Sequence, residues 1–461
     1  MIAAPPSPTE RGRLLKAQGD LRGAAACYAQ AVAARPDSAV AEHNLASVLG
    51  DLNDFAGAAA AAGRAIAKGG DAPETWLVRG RALQGLGELD AADDALATAV
   101  ARRPDYAVAH RDLAQLRWMR SADVGHALTA IEQAPPTAAI TQVKATVLME
   151  AGEDVRAAAV LHTALTIDPG HVGLRLLAAQ VAARLGDADG QLTHASTALQ
   201  AAPASIEAAK AVAEALLHAG RADEAAALAA RIVAAVPDDQ GAIAVQATAW
   251  RLLGDPRYAA LCEDPALVLV TTIETPAGWP DLAAFLGDLA GELTARHRWR
   301  THPLEQSVRH GSQTQEDLAQ LDVPVVRALF AAFDAPIRAY IAGLGSGTDP
   351  VRRRVAGGYR FAGAWSVRLA PGGFHSDHVH PRGWLSSAFY VALPEAVARE
   401  PEGWLALGRP GIATRPALWP VRHIRPRPGQ LVLFPSYLWH GTEPFTGEAS
   451  RLSVAFDLLP A

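Results

Sequence analysis

Up to about residue 255, apolar positions recur in helix-length runs. These are broken at a constant interval by a small turn residue and an acidic or polar pair. The segments AQGDLRGAAACYAQAVAARP, LGELDAADDALATAVARRP and AGRADEAAALAARIVAAVP show the unit: turn residue, polar pair, alanine-rich helix, proline. The turn residues are Gly19, Asn53, Gly87, Ser121, Gly152, Gly186, Gly220 and Gly254, and each step is 34 residues except the 31 from Ser121 to Gly152. Pro169, Pro203 and Pro237 keep the 34-residue step, and Pro36 to Pro104 spans two of them. Such a period predicts stacked helical hairpins, because one antiparallel pair cannot bury its apolar face alone. Alanine lets helices approach closely, and proline stops the second helix because its ring clashes with the preceding turn. The short step marks an irregular fourth repeat, with SADVGHALTAIEQAPP as its weak helix.

The pattern changes after Gly254. Residues 265–275, PALVLVTTIET, read as a strand, and WPDLAAFLGDLAGELTARHR and VPVVRALFAAFDAPIRAYIAGL return to helical spacing. From Tyr359 onward the chain alternates short β runs with Gly/Pro turns: FAGAWSVRLA, WLSSAFYVALP, GWLALG, GQLVLFP and RLSVAFDLLP. That alternation predicts a barrel or jelly roll. The expected fold class is α + β in two domains. Residues 1–260 form an all-α helical-repeat solenoid, and residues 261–461 form a double-stranded β-helix (jelly-roll, cupin-like) with flanking helices.

Length and composition narrow the function. A chain of 461 residues exceeds one ordinary core, which supports the two-domain division. The net charge of −6 offers no basic footprint, so no nucleic acid is expected as partner. Two cysteines, Cys27 and Cys262, are too few for a disulfide framework or a cysteine-rich zinc site, and they fit a reducing compartment. The N-terminal MIAAPPSPTERGR lacks a basic region followed by an apolar one, and no apolar run is long enough for a membrane span. The expectation is a cytoplasmic protein without membrane contact.

The chemistry concentrates in two segments, 371–394 and 428–457. In the first, His375, Asp377, His378 and His380 fall within six residues; in the second, His440 follows an apolar strand, and Arg451 and Ser453 follow a polar loop. Two ligands at i and i+2 of one strand share a face, and a third from a distant strand would complete a facial set with open positions opposite. In RLSVAF, Arg451, Ser453 and Ala455 share one face while Leu452, Val454 and Phe456 share the other. A guanidinium turned into an apolar interior needs an anion, such as the distal carboxylate of a dicarboxylate. The plainer alternative for Arg451 is a surface ion pair with Glu448.

These residues resemble a known family. His378-Val379-His380-Pro381, Ser386-Ser387-Ala388-Phe389-Tyr390, Phe434-Pro435-Ser436, His440 and Arg451-Leu452-Ser453 follow the signature of the 2-oxoglutarate/Fe(II) oxygenases. The likeness extends upstream to the stretch from Gln306 to Thr314. The 34-residue repeats resemble tetratricopeptide repeats, with most aromatic positions replaced by alanine or leucine. Repeats ahead of such a domain resemble the order of the aspartyl/asparaginyl β-hydroxylases.

The resemblance implies an Fe(II)-dependent dioxygenase that uses 2-oxoglutarate and O2 to hydroxylate a substrate. His378 and His440 would be iron ligands. The third position is His380, a water, or the Asp377 carboxylate, and His375–Ser–Asp377 also satisfies the common His–x–Asp motif. Arg451 and Ser453 would hold 2-oxoglutarate, with Tyr390 and an inward-facing Arg368 as further contacts. Trp384, Gln313 and Arg309 are substrate candidates, although Tyr390 and Trp384 serve equally well as core packing. A closed zinc site would use similar ligands, but the buried arginine favours an open iron site.

Partners follow from the same likeness: a protein or peptide substrate on the concave face of the repeats, and a possible homodimer. Two alternatives stand beside it. One is an interaction scaffold with a degraded metal-binding barrel; the other is a small-molecule hydroxylase whose repeats serve oligomerisation. His302, His310 and His423 are expected in solvated loops. The histidines scattered through the repeats are expected on helix surfaces or between helices.

Overall fold

A computed structural model describes residues 6–461; the first five residues of the N-terminal stretch read above lie outside the described residues. The chain packs into two compact units, residues 1–147 and 148–461. Helical hairpins make up the first unit and open the second. The change from helices to strands, between the helix Arg257–Cys262 and the first strand Leu269–Thr272, therefore lies inside the second unit.

The repeat period has a direct backbone counterpart. Gly19, Asn53, Gly87, Gly152, Gly186, Gly220 and Gly254 all take positive φ, between 62° and 83°. This is the left-handed turn that ends a helix and that glycine adopts without steric cost. At the irregular repeat the turn falls one residue later than expected. Ser121 is the last residue of the helix Ala107–Ser121, and Ala122 takes φ 57°. The segment that follows holds only the five-residue helix Val124–Leu128 and a short 3-10 turn, Ile131–Gln133.

The prolines act one residue ahead of themselves. Arg35, Arg103, Asp168, Ala202 and Val236 each precede a proline, and each leaves helical geometry with φ between −125° and −139°. The proline ring bars the residue before it from the α region, so the helix ends there. At the other end, Asp20, Asp54 and Asp187 cap their helices by accepting from the amides of Gly23, Gly57 and Gly190. Such caps contribute about 1 kcal/mol each.

The remainder of the second unit contains nine described strands: β1 (Leu269–Thr272), β2 (Val308–Gln313), β3 (Tyr359–His375), β4 (Leu385–Ala392), β5 (Leu405–Leu407), β6 (Arg422–Ile424), β7 (Gln430–Pro435), β8 (His440–Thr442) and β9 (Arg451–Pro460). They form a six-stranded antiparallel sheet, ordered β1-β7-β4-β9-β3-β2, and a three-stranded one, ordered β6-β5-β8. The two expected helices are present as Leu282–Arg296 and Pro324–Leu344. Phe333 of the longer helix packs against Phe389 of β4 and Phe456 of β9, with ring centroids 5.1 and 5.0 Å apart. One face of β9 is therefore fixed against apolar surface. Its period of two turns Arg451, Ser453, Ala455 and Asp457 to the other face, where they line a cavity.

The last repeats share the core of the sheets. Ile243 and Ala247 of the helix Gln240–Leu253 belong to the same hydrophobic cluster as Phe333, Leu433 and Tyr437. Trp439 Nε1 donates to Thr248 Oγ1 at 3.0 Å, and Tyr437 donates its hydroxyl to the Leu261 carbonyl at 2.9 Å. Among the described residues, no helix is long and apolar enough to cross a membrane.

Candidate metal and anion site

Three imidazoles come together beside the cavity. His440 opens β8, while His378 and His380 lie in the extended segment between β3 and β4. His378 and His440 face each other across a two-way backbone bridge, with N–O distances of 2.9 and 3.0 Å. Potential ligand atoms of His378, His380 and His440 all lie within 4.8 Å of one another. Gly441 makes room beside them, since a Cβ there would stand 2.5 Å from Asp377 Oδ1.

The hydrogen bonds determine which nitrogen each ring presents. His378 Nδ1 lies 2.8 Å from the Ser376 carbonyl, and His440 Nδ1 lies 2.9 Å from the Leu438 carbonyl. A carbonyl can only accept, so both Nδ1 atoms carry the hydrogen and each neutral ring presents a bare Nε2. His380 Nδ1 donates to Asp457 Oδ2 at 2.5 Å, and His380 Nε2 faces His378 Nε2 at 3.1 Å. Two lone pairs at that distance repel unless a cation, a proton or a metal ion, stands between them.

The donor set therefore fits a metal ion, with Nδ1 hydrogen bonds orienting each ligand from behind. Burial holds the His378 imidazole down at about 3 and His440 well below its ordinary value, which keeps both rings neutral. Trp365 stacks on His380 at 5.8 Å, and Phe434 stands edge-on to His440 at 4.7 Å.

Asp457 was not among the sequence candidates, although it continues the i, i+2 series of Arg451, Ser453 and Ala455. Its Oδ1 accepts from Ser386 Oγ at 2.7 Å, and Ser386 in turn lies 2.9 Å from Ser436 Oγ. The serine-rich start of β4 thus orients the carboxylate that orients His380.

The His–x–Asp alternative is arranged differently. Asp377 turns to Arg409, whose Nε lies 2.5 Å from Oδ2 and whose Nη1 lies 2.9 Å from Glu443 Oε1. His375 Nδ1 pairs with Ser307 Oγ at 3.0 Å. Both residues line the cavity, but neither belongs to the three-imidazole group.

Arg451 forms the anion half. It is 2 % exposed, its Nη1 lies 3.5 Å from Ser453 Oγ, and it has no carboxylate partner among the described residues. Its Nε has no hydrogen-bond partner among the described residues, and its charge lies 5.0 Å from the centre of the Tyr390 ring. Arginine does not give up its proton at any ordinary pH, and burying a charge without a partner is costly. An anion bound against it would relieve that cost. Tyr390 is fully buried, and burial pushes its phenol up against the pull of Arg451.

The other expectations divide. Gln313 and Arg309 line the cavity, and Arg309 Nη2 reaches Glu150 Oε2 at 3.2 Å. Arg368 does not face inward. Val367 and Trp365 line the cavity, so the residue between Val367 and Leu369 points outward, where Nε donates to Ser450 Oγ at 3.2 Å. Trp384 is a core residue, 0 % exposed, donating to the Val351 carbonyl at 2.9 Å. His302 is buried rather than solvated and sits 3.6 Å from Glu150.

The cavity measures about 1630 Å³. One wall carries the imidazoles, Arg451 and Asp457; the other is built from repeat helices of the same unit and includes Glu150, Gln180, Glu207 and Glu214.

Comparison with known proteins agrees with both halves of this description. Residues 363–457 match the family model described as "Putative 2OG-Fe(II) oxygenase", and residues 9–73 and 43–107 match that of the tetratricopeptide repeat. The chain thus carries tetratricopeptide repeats and, at its C-terminus, a 2OG-Fe(II) oxygenase-family segment. No curated protein matches it.

Among solved structures it is similar to a tetratricopeptide repeat protein from Parabacteroides merdae, 14% identical with a TM-score of 0.36, over 55% of this chain and 88% of that one. It is also similar to the first TPR of Spaghetti (RPAP3) bound to an HSP90 peptide, 26% identical with a TM-score of 0.23, over 24% of this chain and 86% of that one. A third is the second TPR domain of human RPAP3 with an HSP70 peptide, 24% identical with a TM-score of 0.23, over 24% of this chain and 92% of that one.

Proposed function

We propose that the protein is an Fe(II)- and 2-oxoglutarate-dependent dioxygenase that hydroxylates a protein or peptide segment held in the cavity between the repeat helices and the imidazoles. The observation that carries this reading is one cavity lined both by three converging histidines and by a buried arginine without a counter-ion. His378, His380 and His440 would hold the iron. Arg451 and Ser453 would bind the distal carboxylate of 2-oxoglutarate, with Tyr390 backing the guanidinium.

When bound, iron supplies the activation of O2 that couples decarboxylation of 2-oxoglutarate to hydroxylation of a C–H bond. The chain's own residues fix geometry. The carbonyls of Ser376 and Leu438 and the carboxylate of Asp457 hold the Nδ1 protons, so that every Nε2 points inward. Trp365 stacked on His380 and Phe434 edge-on to His440 pack against the rings and restrain them. The size of the cavity favours a polypeptide, since pockets for small molecules usually measure about 300–1,000 Å³.

The test is turnover. Purified, iron-loaded protein should convert 2-oxoglutarate to succinate, and His440→Ala should lose that conversion by at least about a hundredfold, the scale on which removing a group that stabilises a transition state acts. Failure of the wild-type protein to bind 2-oxoglutarate at millimolar concentration would remove the proposal.

A further inference from the structure

The repeat-helix wall of the cavity carries three ionisable groups on the helix Ile206–His218: Glu207, Lys210 and Glu214. Their situations differ. Lys210 is 8 % exposed, and its ammonium is shared between Glu207 Oε1 at 2.8 Å and Asp239 Oδ2 at 3.0 Å. Glu207 is thereby paired. Glu214, one turn further along, has no hydrogen bond or ion pair among the described residues. Ala179, Ala183 and Ala211 are among the residues that line the same cavity. The carboxylate therefore stands in the cavity wall with room in front of it. Burial pushes it up to about 7, with Lys210 pulling the other way and Glu207 adding to the rise. A cation placed against it would restore its charge and repay that desolvation.

Resting on the oxygenase reading for what happens beside the imidazoles, we propose that Glu214 selects a lysine or arginine side chain of a polypeptide substrate. The cavity has the volume for a chain segment, and its histidine wall and Glu214 wall enclose the same space. The basic side chain would run along Ala211 and place its head on the carboxylate, its aliphatic stem covering the small residues. Lys210 offers no competing site for an acidic side chain, because Glu207 and Asp239 already pair its ammonium, and Glu214 is left as the unpaired carboxylate. Glu214 is thus a specificity residue and does no chemistry.

The test compares binding of acetylated, amidated pentapeptides Gly-Ala-X-Ala-Gly to the full-length protein, with X lysine or its uncharged analogue norleucine. It is run anaerobically with Fe(II) and 2-oxoglutarate. The lysine peptide should bind at least about tenfold more tightly, the scale of one close charge pair. In Glu214→Gln, which keeps the shape, that preference should fall to about twofold or less. An equal affinity for both peptides in the wild type, an unchanged preference in Glu214→Gln, or no binding of either peptide would overturn the proposal. Binding of Nα-acetyl-lysine amide as tight as that of the pentapeptide would overturn its polypeptide part. The wild-type comparison needs no variant, so a folding defect cannot mask the result.

Admitting air to the same samples separates the two readings. Succinate formed without a lysine preference removes the role of Glu214 and leaves the oxygenase. A lysine preference without succinate does the reverse.

Discussion

At the scale of single residues, the arrangement of the imidazoles depends on the groups behind them. His380 presents Nε2 to the cluster because Asp457 takes its Nδ1 proton, and Asp457 is fixed by Ser386. Removing such an orienting carboxylate typically weakens metal binding about 10–100-fold. Asp457→Asn should therefore weaken Co(II) binding, measured by titration calorimetry, by an amount in that range while leaving the unfolding temperature nearly unchanged. Unaltered affinity would show that His380 orients itself.

Much of this centre was legible in the sequence. His378, His380, His440, Arg451 and Ser453 stand out by spacing, and strand phase sent Arg451 and Ser453 to one face. The same phase reaches Asp457, whose role has no local signal because it depends on the distant His380. Asp377 illustrates the converse. Its motif suggests a ligand, but Arg409, which engages it, lies 32 positions away in sequence and has no local pattern to reveal it. Arg368 differs for a simpler reason: the sequence does not fix the register of β3, which turns Trp365 and Val367 to the cavity and Arg368 away from it.

At the scale of elements, the repeats were legible almost residue by residue, because each boundary has a local cause. Seven of the expected turn positions take the left-handed conformation. At the eighth, Ser121, the turn shifts to Ala122, whose side chain makes φ 57° costly. Ala122→Gly should stabilise the protein by about 1 kcal/mol, provided the added freedom of the unfolded chain does not cancel the gain. Thermal unfolding would show a higher midpoint, and a lower one would mean that the Ala122 methyl contributes packing. The short strands β6 and β8 escaped notice. Each spans three residues, too few for a period of two to declare itself, and each is defined by its pairing with β5.

At the scale of the whole molecule, the change of element type near residue 260 is sharp in the sequence, yet packing crosses it. The helix Gln240–Leu253 donates its first amide, that of Gln240, to the Pro381 carbonyl, next to His380. Trp439, next to His440, is tied to Thr248 of the same helix. Two of the three imidazoles are thus braced by a repeat helix, a coupling that no local pattern encodes. The central claim is that His378, His380 and His440 form a metal centre sharing its cavity with the Arg451 anion site. An anaerobic titration of the full-length protein with Fe(II) and 2-oxoglutarate, followed by the visible charge-transfer band of the chelate, tests it most directly. The band should appear in the wild-type protein and in Asp377→Ala and disappear in His380→Ala. Loss of the band in Asp377→Ala with retention in His380→Ala, or its absence from the wild-type protein, would contradict the claim.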